Sequence, residues 1–271
     1  MASPATTQRS YAGYLKTLKE FYESDIPSAD IVGLYKTHER YPYETFLLYE
    51  HGDIRKPIFA DCADKVALDF ACGPGRMILR MSKIFARVDG VDLSAPLIKE
   101  AQTRCPDSKF WLSNGDDLGD VPGATYDFVY STIALQHICV HSIRMKIFHA
   151  INAALKPGGK TTLQMGFNPR FPFSKIVSDK RLDDGRHQVV FARDDRHAAW
   201  NEDRVDATAL NSACDVGIGA NDLGVMMDDL SKVFSNVDYW FHMGVHFDRE
   251  PGEDPFGYWP SHWLFVHALK R

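Results

Sequence analysis

Residues 66–78 read VALDFACGPGRMI, and this stretch decides the fold of the 271-residue chain. It begins as a short apolar run, turns at two glycines and continues with apolar residues at helical spacing. The pattern predicts a buried strand, a glycine-rich turn and a helix. Such a unit forms a ligand cradle at the carboxyl end of a parallel sheet, because glycine lets the backbone approach a ligand and the helix N-terminus has unpaired N–H groups.

The spacing Asp69-x-x-x-Gly73-x-Gly75 resembles the cofactor motif of class I S-adenosylmethionine-dependent methyltransferases. Members of that family usually have a further glycine where this chain has Ala71. A dinucleotide site of the Gly-x-Gly-x-x-Gly type is the alternative, but its third glycine position is Ile78, which would obstruct close helix–strand packing. Asp69 also suits a cationic amino group and would repel a pyrophosphate.

Composition indicates an ordinary globular protein, with 45% hydrophobic and 25% charged residues. A net charge of -5 gives no indication of a nucleic acid or an anionic membrane as partner. Residues 1–10 lack an apolar signal region, and no apolar run approaches membrane length. Five scattered cysteines favour reduced thiols and a cytoplasmic location.

Together with this first unit, the elements up to residue 167 alternate strand and helix five times, which predicts a doubly wound, mostly parallel sheet of the Rossmann-like kind. Two segments strengthen the resemblance: residues 133–138, which contain Leu-Gln-His after the fourth strand, and residues 155–159, Leu-Lys-Pro-Gly-Gly, predicted as a turn before a fifth strand at 160–167. The resemblance implies a closing antiparallel hairpin, and residues 237–245 and 263–269 suit its two strands.

Two regions stand outside the alternation. Residues 1–58 are predicted to form a mobile tail and a helical lid, with helices over 11–22 and 45–51, and the resemblance implies that this lid covers the pocket. Residues 59–271 are predicted to form the methyltransferase domain. Its segment 169–219 is a predicted cap-like insertion with a short hairpin near Gly185 and seven charges of each sign over 169–203.

The resemblance assigns cofactor contacts to the ends of successive strands. Asp69 would hold the amino-acid end of S-adenosylmethionine, Asp92 both ribose hydroxyls, and Asp116 the adenine amine. An acid about 20 residues after the glycine turn is common to nucleotide sites. The full expected cofactor set is Asp69, Ala71, Gly73, Gly75, Arg76, Asp92, Leu93, Asp116, Asp117 and Ser131.

Methyl transfer is an in-line displacement that needs alignment and, for a neutral acceptor, removal of a proton. His137 is the first candidate base, because imidazole titrates near neutral pH. Gln136 is the candidate orienting amide, and Tyr14 is a further catalytic candidate. No metal is expected, because the pair His137 and His141 lacks the glutamate of the peptidase helix.

The sequence therefore predicts methylation of an oxygen or nitrogen nucleophile on a small molecule, in the biosynthesis of a secondary metabolite. Methylation at carbon or sulfur, a nicotinamide-dependent oxidoreductase and a binding protein without turnover are the alternatives. Neither a nucleic acid nor a membrane is an expected partner, and the sequence does not indicate the oligomeric state.

Overall fold

The glycine-rich unit predicted at residues 66–78 lies at the centre of the main sheet. A computed structural model of the chain describes residues 11–24, 41–173, 175–193, 197–204, 216–243 and 262–271. Their helices are α1 (Tyr11–Glu23), α2 (Tyr43–Leu48), α3 (Arg76–Met81), α4 (Ala95–Arg104), α5 (His141–Ala154) and α6 (Leu223–Val233). Their strands are β1 (Val66–Phe70), β2 (Arg87–Asp92), β3 (Phe110–Leu112), β4 (Tyr126–Ser131), β5 (Leu155–Phe167), β6 (Lys175–Arg181), β7 (His187–Ala192), β8 (Ala198–Ala199), β9 (Val216–Gly217), β10 (Ser235–Met243) and β11 (His262–Leu269).

The main sheet has seven strands in the order β10-β11-β5-β4-β1-β2-β3. The strands β1 to β5 pair in parallel, and β11 and β10 continue the sheet antiparallel. Strand β1 pairs with β2 on one side and β4 on the other, so the strand order reverses beside it. Ligands of open α/β sheets bind outside the carboxyl ends of strands at such a point. The predicted sheet and its closing antiparallel hairpin are confirmed.

Local chemistry explains the start of α4. Ser94 accepts a hydrogen bond from the Leu97 N–H at 3.4 Å and caps α4, as predicted. The predicted turn at residues 156–159 is wrong in its form. Helix α5 does end at Ala154, but the following residues belong to the irregular start of β5, where the pairing with β4 shifts register and Gly158 has a φ of 76°.

The insertion contains the predicted hairpin. Strands β6 and β7 pair antiparallel, and Gly185 between them has a φ of 84°. A buried polar group attaches the later part of the insertion to the sheet domain: the Arg144 guanidinium donates to the carbonyls of Ile138 and Trp200. The Trp200 indole in turn donates to Asp229 of α6 at 2.9 Å.

The first N-terminal helix lies against the carboxyl edge of the main sheet. The Cys139 N–H after β4 donates to the Tyr14 hydroxyl at 3.0 Å, and the Ser94 hydroxyl donates to the Tyr22 carbonyl at 2.9 Å. Gly115 approaches Leu15 so closely that an added Cβ would lie 3.1 Å from its side chain. Helix α1 therefore spans the ends of β2, β3 and β4. Residues 25–40, which belong to the predicted lid, lie outside the described part of the chain.

A series of hydrogen bonds fixes α2 to strands β5 and β11 of the main sheet. The Trp240 indole donates to His267 Nε2 at 3.1 Å, and because an indole only donates, the ring proton of neutral His267 is on Nδ1. That nitrogen then donates to the Thr162 hydroxyl at 2.9 Å, which donates to the Leu47 carbonyl of α2 at 2.8 Å. This series of hydrogen bonds requires a neutral imidazole at His267, and burial lowers the pKa of His267 to about 4.

This histidine should make the fold sensitive to acid. Its unfolded pKa is about 6.5, so between pH 6.5 and 4 the unfolded state binds a proton that the folded state does not. The free energy of unfolding should therefore rise with pH in this window. Lowering the pH from 7 to 5 should reduce it by about 2 kcal/mol through His267. Urea unfolding at both pH values should show a smaller loss for His267→Gln than for wild type. Equal losses of unfolding free energy in the two proteins would contradict the role of His267 as the acid-sensitive group.

Candidate functional site

Asp92 connects the ends of β1 and β2. Its two carboxylate oxygens accept hydrogen bonds from the Gly73 N–H at 2.8 Å and the Ser94 N–H at 2.9 Å. The side chain is buried, which raises its pKa, while these backbone donors oppose that rise. A carboxylate has about four acceptor positions, so both oxygens can accept further bonds from a ligand. Asp92 therefore shapes the glycine turn and lies at the carboxyl edge of the main sheet.

Asp69 near the end of β1 is an almost fully buried carboxyl group, with 2% of its surface exposed. Burial raises its pKa well above the usual range, the Arg76 charge opposes this, and the Tyr130 hydroxyl lies beside it. A buried carboxyl group of this kind retains its proton at pH values where an exposed one is ionised. A cationic ligand group placed beside it would favour the ionised form. The site is therefore suited to an ammonium group.

The two glycines of the turn have different environments. Gly73 has a φ of 51°, and a Cβ added there would meet nothing within 4 Å. Gly75 has a φ of 85°, but its added Cβ would lie 3.2 Å from the Cys105 sulfur and 3.4 Å from the Ala101 Cβ. Open space for a ligand therefore lies at Gly73, whereas Gly75 permits close packing against α4.

Ala71 stands in a backbone conformation that favours glycine. Its φ is 60°, which costs a residue with a Cβ on the order of 1 kcal/mol or more. The turn thus has the backbone shape that a glycine would adopt, although this chain has alanine. The methyl group at Ala71 leaves the main-chain path unchanged and adds bulk beside the cradle.

The acids after β3 bind protein groups. Asp116 Oδ2 accepts from the Tyr11 hydroxyl and the Lys146 ammonium, each at 2.9 Å. Asp117 accepts from the N–H groups of Asn114 at 2.9 Å and Gly119 at 3.0 Å, and thereby holds the turn together. The assigned adenine contact at Asp116 remains a prediction, and its position under α1 was not evident from the sequence.

The segment after β4 contributes polar groups to the same edge. Ser131 and Gln136 are buried, and within the described residues the Ser131 Oγ and the Gln136 Oε1 have no hydrogen-bond partner. His137 ends a short 3₁₀ turn, Leu135–His137. Tyr14 lies close to this segment, because its hydroxyl accepts from the Cys139 N–H. The three predicted catalytic residues therefore lie in one region.

The remaining assigned residues also lie near the edge. Leu93 directly follows Asp92, and its backbone N–H helps to stabilise that carboxylate. Arg76 is the first residue of α3, with its guanidinium carbon 5.2 Å from the centre of the Tyr43 ring. Among the described residues, no three or more potential metal ligands cluster together, and His141 Nε2 is 3.0 Å from Asp229.

Sequence reasoning missed Gln164 of β5. This fully buried amide accepts a hydrogen bond from the Ile133 N–H at 3.1 Å, although it comes from the neighbouring strand. Ile133 has a φ of 55°, which is strained for a β-branched residue. An isolated glutamine within an apolar strand was the available signal, since a buried amide requires partners.

The residues at this edge fit the cofactor that the sequence implies. The open space at Gly73 admits a ligand against the backbone, and the buried Asp69 carboxyl can receive an ammonium group. Asp92 has spare acceptor capacity for hydroxyl groups, and Ser131 adds a buried hydroxyl group without a partner among the described residues. Ile78, at 0% exposure, fills the space that a dinucleotide motif reserves for glycine, since a Cβ on Gly90 would lie 2.8 Å from it.

Comparison with known proteins supports a methyltransferase fold. A family profile described as a methyltransferase domain matches residues 67–159, from β1 into β5. Residues 67–159 therefore form a methyltransferase domain, which supports the predicted class I S-adenosylmethionine-dependent family. The predicted family, sheet and cofactor, S-adenosylmethionine, are confirmed.

The relatives of this chain are distant. The trans-aconitate 2-methyltransferase of Paracidovorax citrulli (strain AAC00-1) is 28% identical over 182 residues, which are 66% of this chain and 61% of that protein. The chain thus spans less than two thirds of that relative. An S-adenosylmethionine-dependent methyltransferase from Mesorhizobium loti matches with a TM-score of 0.56 at 17% identity, over 78% of this chain and 94% of the other. The complex of DhpI with SAH gives 0.56 at 15% identity, over 96% and 98%. At these identities the structures show the shared fold alone.

The role of Asp92 can be separated from its effect on stability. We expect Asp92→Asn to weaken binding of S-adenosylhomocysteine about tenfold, because the variant keeps one acceptor oxygen and loses the charge. Asp89→Asn is the matched control, since Asp89 is a buried acid of the same strand that accepts from the Lys109 N–H and the Tyr126 hydroxyl, each at 3.0 Å.

Calorimetric titration below each variant's unfolding temperature would measure the affinities. Both variants should unfold earlier than wild type, and only Asp92→Asn should bind the ligand more weakly. Unchanged affinity in Asp92→Asn would remove Asp92 from the ligand site.

Proposed function

We propose that this chain transfers a methyl group from S-adenosylmethionine to an oxygen or nitrogen nucleophile of a small molecule. The observation that carries the proposal is the group of buried polar residues at the carboxyl edge of the sheet. Asp69, Gly73 and Asp92 are suited to the cofactor, and Ser131 and Gln136 have polar atoms that make no bond within the described residues.

Each proposed cofactor contact has a physical basis. Asp69 would bind the ammonium group, and the ribose hydroxyls would donate to Asp92. For the adenine amine, Asp116 Oδ1 is the remaining oxygen, because Oδ2 is already held by Tyr11 and Lys146. The described helices α1 and α2 would cover the site, with α1 closing the side that holds the adenosine moiety. When bound, S-adenosylmethionine supplies an electrophilic methyl group.

The protein's own task in the reaction would be to orient the acceptor and exclude water. Helix α1 and the buried segment after β4 would exclude water from the edge, which strengthens the remaining electrostatic interactions. Gln136 would orient the acceptor, and His137 would accept its proton where that acceptor is a neutral hydroxyl or ammonium group. Tyr14 would keep the backbone at Cys139 in place through its hydroxyl.

The relative named for trans-aconitate suggests a carboxylate acceptor as one form of this reaction. Such an acceptor is already ionised, so no base would be required. Methylation at carbon or sulfur is the second candidate. An oxidoreductase is disfavoured by the packing of Ile78 against Gly90. A secondary metabolite as acceptor, a role in biosynthesis and a cytoplasmic location remain part of the proposal, and the four described cysteines are free thiols. No helix in the described part of the chain is long and apolar enough to cross a membrane.

A thermal-shift panel tests the choice of cofactor. A ligand present at about a hundred times its dissociation constant stabilises the folded state by roughly 2.7 kcal/mol. S-adenosylmethionine and S-adenosylhomocysteine should therefore each raise the melting temperature by several degrees, and NAD and NADP should leave it unchanged. A shift with NAD or NADP alone would overturn the proposal. Methyl transfer from radiolabelled S-adenosylmethionine in an acceptor screen would then exclude a protein that binds without turnover.

The effect of His137→Phe depends on the acceptor. With a phenol or amine acceptor, we expect turnover to fall about a hundredfold, because loss of a general base typically costs 10²–10⁴. With a carboxylate acceptor, turnover should change little. Cofactor affinity should stay within about twofold in both cases. A variant that keeps full turnover on a phenol or an amine would show that His137 is structural.

A further inference from the structure

Gln164 presents a buried amide whose orientation is determined by its neighbour. The Ile133 backbone N–H can only donate, so the atom facing it at 3.1 Å is the amide oxygen, Oε1. The amide nitrogen, Nε2, therefore points the other way. Within the described residues Nε2 is buried and has no hydrogen-bond partner. An unsatisfied buried donor is costly, and natural structures retain one where a ligand or water completes it.

The position of Gln164 places this donor beside the expected site of reaction. Thr162 is the register partner of Tyr130, and residues two apart in a strand share a face, so Gln164 lies on the face of Tyr130 and therefore of Asp69. The bond to Ile133 brings the amide to the segment that follows β4. The donor is thus close to the predicted catalytic segment and comes from a strand that contributes nothing to the expected cofactor set.

Aromatic rings surround this part of the sheet face. Phe265 of β11 is the register partner of Gln164. Two residues along β11, the Trp263 ring stacks on the Tyr43 ring at 5.3 Å, and the Tyr41 ring lies 4.7 Å from Trp263. Rings of this kind favour a flat, conjugated molecule.

Positive charge adjoins these rings. The Arg76 guanidinium lies 5.2 Å from the centre of the Tyr43 ring, at the first position of α3. The same guanidinium acts electrostatically on Asp69, so its positive charge lies within range of the sheet face that carries Asp69, Tyr130 and Gln164. An anionic oxygen would therefore be favoured over a neutral one.

We propose that Gln164 is a binding residue for the methyl acceptor and that its amide donates to a carboxylate oxygen of a flat, conjugated or aromatic acid. This inference rests on the proposed function and specifies its substrate class. The acceptor would lie between the segment after β4 and the aromatic rings of α2 and β11. The cofactor half of the site would be unaffected by Gln164.

The test uses the full chain loaded with S-adenosylhomocysteine and two probes, benzoate and trans-aconitate, titrated by calorimetry at pH 8.5. Wild type should bind at least one probe, and benzamide, the neutral analogue of benzoate, should bind at least about tenfold more weakly than benzoate. Gln164→Met should weaken probe binding at least tenfold and leave the affinity for S-adenosylhomocysteine within about twofold.

Two further variants separate binding from structure. Thr162→Val removes a structural hydroxyl on the same face of β5 and should lower the melting temperature with probe affinity intact. Gln164→Glu keeps an oxygen that can accept from the Ile133 N–H but replaces the donating amide nitrogen, Nε2, with a second oxygen. It should therefore lose probe affinity as Gln164→Met does. Wild-type affinity in Gln164→Glu would mean that Gln164 acts only through Ile133, and the proposal would fail.

The outcomes distinguish this inference from the proposed function. Failure of wild type to bind S-adenosylhomocysteine would overturn the proposed function itself. Binding of S-adenosylhomocysteine with neither probe bound, or equal binding of benzoate and benzamide, would overturn the acceptor class alone. An unchanged probe affinity in Gln164→Met would overturn the role of Gln164.

Discussion

The hydrogen bonds from Gly73 and Ser94 to Asp92 are the interaction on which the site depends. They join the turn after β1 to the start of the helix after β2, so two separate strand ends take up one fixed geometry. Because Gly73 has a positive φ and open space at its Cβ position, this residue of the turn gains little from packing. One buried carboxylate therefore holds the main chain in place, and its remaining acceptor positions are the ones that we propose for the ribose hydroxyls.

Different contacts hold the two N-terminal helices, α1 and α2, on the two sides of the main sheet's strand order. On the side of β2 and β3, α1 makes polar contacts through Tyr11 and Tyr22. On the side of β5 and β11, the cover consists of α2, held by stacked rings and by the hydrogen-bond chain through His267. In the proposed function, the first arrangement would suit the adenosine moiety and the second a flat organic acceptor, so the two N-terminal helices would cover chemically different parts of the site.

Sequence reasoning identified the residues whose chemistry is local. The strand, turn and helix at 66–78, the cap at Ser94 and the hairpin at Gly185 follow from rules that involve a few neighbouring residues. It erred at residues 156–159, where a proline and two glycines suggested a turn, because pairing with β4 draws these residues into β5. A contact between strands overrode local turn propensity there.

The parts that could not be predicted depend on contacts between distant residues. Asp116 was assigned from its position after β3, but its partners Tyr11 and Lys146 come from helices 105 and 30 residues away in sequence. Gln164 shows the same limit: nothing near it in sequence reveals that its oxygen meets the Ile133 N–H. A pattern can report that a polar residue is buried within a strand, but only the fold determines which of its atoms remains to bind a ligand. In this chain the proposed cofactor contacts follow from short motifs, whereas the proposed acceptor contact at Gln164 depends on a tertiary contact with Ile133.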